Sequence, residues 1–263
     1  MTMLPINTLS EKYRDIFDFA KDAIENGPKF LNGQNANSLE RQITLFHLVR
    51  ATYLLDAIYR LCREGYATES IVILRSLLNL FINLKWLTSK DSKYRMERYA
   101  DFQVVFKKLA MNDVIKHGSI WDDIKSEDLT AHDEEFQRIM RKYNLKSRWD
   151  FFHWSGKSIY KMAEDVGLEK EYKIIYGRLS GTEHTGPESV RDYLDDSEKG
   201  KTIIKAGPRD KNIDLAVLTS LDYFFQVKAI THNIFDVDWP SLESEKQKFM
   251  DLRSKYWVQQ DND

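Results

Sequence analysis

Hydrophobic residues return at helical spacing along nearly the whole chain, and the pattern predicts a succession of helices. The first carries Tyr13, Ile16, Phe17, Ala20 and Ile24, opens on Ser10 as its N-cap and stops at Gly27-Pro28. Beyond a polar stretch at 32–37, Ser38 caps a long second helix to about Arg63. Leu39, Ile43, Phe46, Leu54, Ile58 and Leu61 turn inward from it, and Gly65 closes it. Thr68 caps a third helix reaching about Leu87, and Ser92 opens a fourth that ends near Gly118. Phe136, Ile139, Met140 and Tyr143 mark a shorter amphipathic helix, followed by an aromatic loop at 149–154. Two more helices are expected, one over about 159–166 before Gly167 and one from Glu169 to about Ser180. Pro187 suits the first turn of another short helix. The charged stretch 195–212 reads as a flexible loop, and two helices, Ile213 to Phe235 and Ser241 to Trp257, finish the chain. The expectation is an all-α, multi-helix bundle in one domain spanning 1–263. Its core lies at about 38–235, a C-terminal helix lies within 238–263, and a central helix at about 69–87 is buried.

Composition narrows the class. In 263 residues, 39 Lys plus Arg face 41 Asp plus Glu, and 42% of residues are hydrophobic. That balance gives no global reason to expect nucleic-acid or membrane binding, and the apolar content excludes overall disorder. No proline occurs between Pro28 and Pro187, which favours helices over a loop-rich β sandwich. Cys62 is the single cysteine, so neither an intrachain disulfide nor a thiolate metal cluster can form. The start lacks the basic and long apolar regions of a signal peptide. The most apolar run, Ile71 to Leu87, is interrupted by Arg75, Asn79, Asn83 and Lys85, so it reads as a buried helix and not as a membrane span. The expected address is the cytoplasm, with no membrane partner.

The interruptions are ordered. Arg75, Asn79 and Asn83 are spaced by four and drift only about 40° per step, forming one polar stripe on an apolar cylinder. A buried arginine without a partner costs several kcal/mol. Asp56 lies as far before the link between the second and third helices as Arg75 lies after it, so the two are expected at one height and paired. Two roles remain open: an ion pair that holds helix register, or a ligand-facing Arg75. A second stripe follows the same spacing: Tyr172, Tyr176, Ser180 and His184, with Gly177 and Gly181 beside it for the close approach of another helix. Convergence of the stripes would make a polar cleft; otherwise the tyrosines straddle the core boundary with wet hydroxyls.

Strong catalytic signatures are missing from the sequence, including Gly-rich phosphate loops and the His-Glu-x-x-His metal motif. No metal or cofactor is expected. His232 with Asp236, and Asp150 with His153, have helical ligand spacing, but isolated pairs arise easily. The stretch Arg178-Leu-Ser-Gly-Thr-Glu-His184 resembles the Arg-then-His spacing of the HEPN ribonucleases, an all-helical, usually dimeric superfamily. That resemblance implies a metal-free acid–base site, with His184 handling a ribose hydroxyl proton and Arg178 stabilising phosphate charge; it also implies a homo-oligomer. Arg41 with His47 and Arg148 with His153 match the same spacing, so the pattern alone is not selective. Basic residues interleave with aromatics from Arg138 to Trp154, an arrangement that suits single-stranded nucleic acid such as RNA, or a loop packed over its own aromatics.

Three blocks in order, Glu69 to Asn79, Trp154 to Gly167, and Tyr172…Tyr176…Leu179-Ser180…His184, resemble a bacterial domain-of-unknown-function family, number 5677, over roughly residues 40–235. The resemblance implies an all-helical, cytoplasmic protein and brings no established activity. The family often has an acid where this chain has Asn79. Arg75, Tyr172, Tyr176, Ser180 and His184 match its polar positions.

The reading is therefore a helical bundle whose polar cleft binds a small anionic or nucleotide-like ligand, or a partner segment. Arg75 supplies fixed charge, Asn79, Asp56, Tyr172, Tyr176 and Ser180 line the site, and His184 is a titratable lip. The alternatives are a HEPN-like ribonuclease of toxin or phage-defence type acting through Arg178 and His184, and a plain assembly protein.

Overall fold

Three long helices make the centre: α3 (Leu39–Arg63), α4 (Ala67–Leu87) and α9 (Ile213–Phe235), each packed against the other two. They come from a computed structural model that describes residues 6–27, 29, 33–117, 126–146, 150, 153–177, 190, 193–198, 201–204, 207–237 and 240–257. The fold is all-α in class, as the periodicity predicts. Ser38 caps α3 by accepting from the Arg41 backbone N–H, and Gly65 closes it at φ +80°, a conformation that suits a residue without Cβ. Leu48, Leu55, Ile58, Leu77, Leu78, Leu84, Val217 and Phe224 are fully buried among these helices. Burying each such side chain is worth roughly 1.5–3 kcal/mol, and that burial holds the centre together.

The outer elements each add one apolar face. Before the core come α1 (Ile6–Lys12) and α2 (Arg14–Asn26), separated only by Tyr13. The first helix therefore begins a turn earlier than Ser10 suggests, because Leu9, 1% exposed, extends the buried face upstream. Thr68 likewise lies inside α4 and not at its cap, accepting from the Asn212 amide. A helical pair, α5 (Ser92–His117) and α6 (Ser126–Lys142), has its own small cluster around Phe102, Val105 and Ile139. Then α7 (Ile159–Asp165), capped by Ser158, lies along α4. A single turn, α8 (Glu169–Glu171), passes into a π-helix over Tyr172–Tyr176, where continuous α-helix was expected.

The segment expected to be a flexible loop contains an antiparallel hairpin, β1 (Leu194–Glu198) with β2 (Lys201–Ile204), Leu194 opposite Ile204. Just beyond it the chain is fastened to the α3–α4 corner, where the Arg209 N–H donates to the Gly65 carbonyl at 2.9 Å. The last helix, α10 (Leu242–Trp257), buries Phe249 and Leu252 and returns to α2, where Lys255 meets Asp15 at 2.6 Å.

By length and composition α4 could cross a membrane, with mean hydropathy 1.4 over its most apolar window; 61% of that window is buried inside this fold.

Candidate functional site: an arginine on a tyrosine column

The polar stripe of α4 faces the segment that follows α7. Arg75, half-buried, places its guanidinium carbon 4.0 Å from the centre of the Tyr176 ring and donates from Nη2 to the Tyr176 hydroxyl. Tyr172 stacks on Tyr176 with ring centres 4.3 Å apart and planes 17° from parallel. Tyr160 of α7 adds a third ring, 5.6 Å from Tyr172 and tilted by 55°. The two tyrosines lie four positions apart in a π-helical turn, whose hydrogen bonds step over five residues.

The column is held at its far end. Tyr160 donates to Glu169 at 2.9 Å, and Lys173 bridges to the same carboxylate at 2.5 Å. Partial burial raises the Tyr172 hydroxyl above its ordinary value, against the opposing pull of the Arg75 charge. Farther along α4, the Trp86 indole N–H donates to Asp165 at 2.8 Å, and Lys157 meets the same carboxylate at 2.6 Å. These bonds fix α7 against α4, and with it the start of the column. One turn after Arg75, the Asn79 side-chain oxygen is buried with no hydrogen-bond partner among the described residues. An acceptor in that state calls for a donor.

Asp56 does not make the expected pair with Arg75. Its carboxylate is bound by Arg60 of its own helix at 2.9 Å, while Arg75 turns to Tyr176. Equal distance from a helical turn fixes height along neighbouring helices but not direction around them, and Arg75 points to the side of α4 that carries the π-helix. Among the described residues Gly177 is not a close-approach site either, since a Cβ there would meet none of them within 4 Å. Arg178, Ser180, Gly181, His184 and Pro187 lie outside the described residues. The structure thus brings together Arg75, Asn79, Tyr172 and Tyr176 of the residues expected in the site. It adds Tyr160, which no single helical period links to the others because the Gly167 turn intervenes.

Two basic residues of the stretch before Trp154 are engaged by carboxylates. Arg138 pairs with Glu135 at 2.6 Å, and Lys142 with Asp101 at 2.8 Å. Trp154 packs edge-on to Tyr99 and Trp86, with ring centres at 4.8 and 5.6 Å. Among the described residues no group of three or more His, Cys, Asp or Glu gathers to hold a metal.

Fold and site define a mainly helical bundle with an arginine–tyrosine stack between its central helix and a π-helical segment. The chain belongs to the Family of unknown function (DUF5677), matched over residues 41–201, a stretch that contains the whole stack. No curated protein matches it, nor does any solved structure.

Proposed function

We propose that the protein binds a small anionic ligand with a planar ring, of nucleotide type, beside the Arg75–tyrosine column. The observation that carries this reading is the column itself: a fixed positive charge set against stacked aromatic rings, with the orphaned Asn79 acceptor one helical turn away. A planar ring extends such a stack, Arg75 attracts the anion, and Asn79 accepts from a ring N–H. π-helical turns inside regular helices are frequent at functional sites. The ribonuclease reading rests on Arg178 and His184 and draws nothing from this geometry.

Thermal unfolding with nucleoside mono- and diphosphates, and with inorganic phosphate as control, tests the proposal. A ligand present at 100 times its Kd stabilises by about 2.7 kcal/mol, a rise of roughly 5–10 °C for a chain of this size. The rise should vanish in Arg75→Met and shrink in Tyr172→Leu. A flat response to every compound, with Arg75→Met less stable than the parent, would leave the stack a purely structural device.

A further inference from the structure

A groove of 280 Å³ opens between α9 and α10. Its apolar lining is Phe225 and Ala229 of α9 with Leu242, Phe249 and Met250 of α10. Phe225 and Phe249 meet edge-on there, ring centres 6.0 Å apart. The volume falls just short of the about 300–1,000 Å³ usual for drug-sized ligands, so the groove suits a compact one. Four charged residues also line it, and three of them are engaged elsewhere. Glu245 is held by Lys228 at 3.0 Å, and Lys246 pairs with Glu243 at 3.0 Å. Arg253, exposed at the surface, rests its guanidinium carbon 4.6 Å from the centre of the Trp257 ring. That leaves Asp222, half-buried, which among the described residues has no ion pair and takes its hydrogen bond from the Gln226 amide.

We propose that this groove binds a small primary ammonium ion carried on an aryl or alkyl body, with Asp222 as its counter-ion and Phe225, Phe249 and Met250 around the body. Charge selects that occupant. Arg253 attracts the Asp222 carboxylate from beyond ion-pair distance, and Glu171 of α8 adds a repulsive field. Burial outweighs the pull of Arg253 and Gln226 and holds the carboxyl above its ordinary range, so the cations already present do not balance it. A carboxylate drawn partly out of water gains most from a charge-assisted hydrogen bond. A neutral occupant would cover Asp222 and leave it unpaired, whereas an anion would face Asp222 and Glu171 with only a water-screened Arg253 in compensation. The faces of the two phenylalanines attract an ammonium as well as its apolar body. This inference does not rest on the Arg75 column, none of whose residues lines the groove.

Calorimetric titration of the full chain at pH 7 with phenethylammonium tests it, beside phenylethanol (the same body without charge) and phenylacetate (the opposite charge). The ammonium should bind at least about tenfold more tightly than either, the usual worth of a charged hydrogen bond. Asp222→Asn should bind it about tenfold or more weakly and should no longer prefer it to the alcohol. Removing a carboxyl whose charge is disfavoured by burial does not unfold the chain, so that loss reports on binding, with helical circular dichroism as the check. Met250→Trp, which fills the exposed edge of the groove and leaves Asp222 in place, should weaken binding too. No binding of phenethylammonium to the parent, equal binding of amine and alcohol, or binding unchanged in either variant overturns the proposal.

Discussion

Arg75 and Tyr176 are 101 residues apart in sequence, and the guanidinium carbon of one sits 4.0 Å from the ring centre of the other. The contact is doubled, since Nη2 also donates to the phenol oxygen.

Removing either half should therefore cost differently. Tyr176→Phe keeps the ring and loses the acceptor, for a loss of about 1 kcal/mol. Arg75→Lys keeps a charge and loses the planar fork, and about 1–2 kcal/mol is expected. Urea unfolding of both single variants and the double gives the coupling. Losses that simply add would show that the two groups do not act on each other.

Gly65→Ala should destabilise by at least about 1–2 kcal/mol. The backbone there is left-handed, and a new Cβ would sit 2.7 Å from the Pro208 Cβ and 2.8 Å from the Arg209 nitrogen. Gly167→Ala supplies the control, since φ is +73° but none of the described residues lies within 4 Å of a Cβ. The excess loss at 65, read from thermal unfolding, measures the contact between the α3–α4 corner and the chain after the hairpin.

Acid should act through His47. Burial holds this imidazole below its ordinary value of about 6.5, opposed by its bond to the Ile43 carbonyl at 2.7 Å. The unfolded chain then binds the proton more readily than the folded one. Stability from this group is complete above about pH 6.5 and declines as pH falls toward the lowered folded value. Unfolding free energies between pH 7.5 and 5 should fall less steeply for His47→Leu than for the parent; equal slopes would contradict the assignment.

Asp222 works in the opposite sense. Burial raises its carboxyl above the ordinary range, with Arg253 and Gln226 pulling it down and Glu171 adding to the rise. Its charged form is disfavoured in the fold, so its penalty is absent in strong acid and grows as pH rises past about 3.9. Asp222→Asn should be more stable than the parent at pH 7 and should match it near pH 3.

Cys62 should resist thiol reagents while the protein is folded. Its side chain is fully buried, its sulfur lies 3.5 Å from the Ser70 hydroxyl, and burial pushes the thiol up to about 12. Labelling at pH 8 should proceed only at the rate of unfolding and accelerate with urea. Fast labelling in buffer would mean that the α3–α4 corner opens on its own.

Helix positions were legible because apolar spacing and caps are local: Ser38 and Leu39–Arg63 agree with the periodicity, as does Ile213–Phe235. The stripe of Arg75 and Asn79 and the pair Tyr172 and Tyr176 could also be read by counting fours. What could not be read is direction. Arg75 was expected toward α3 and Asp56 because turn geometry sets height alone, and the helix chose the tyrosines. The π-turn was equally hidden, since Tyr-Lys-Ile-Ile-Tyr has ordinary helical spacing and its widening depends on tertiary contacts. Alternating strand pattern is faint in 194–204, where charge dominates, so the hairpin went unseen.

Winding the segment 172–176 more widely than its neighbours makes the site depend on chain length as much as on chemistry. Excising one residue between the tyrosines would let ordinary α-helix form with the two only three apart, and their rings would swing about 60° from each other around the axis. The guanidinium would keep its charge and lose its platform, although every side chain that defines the column would still be present.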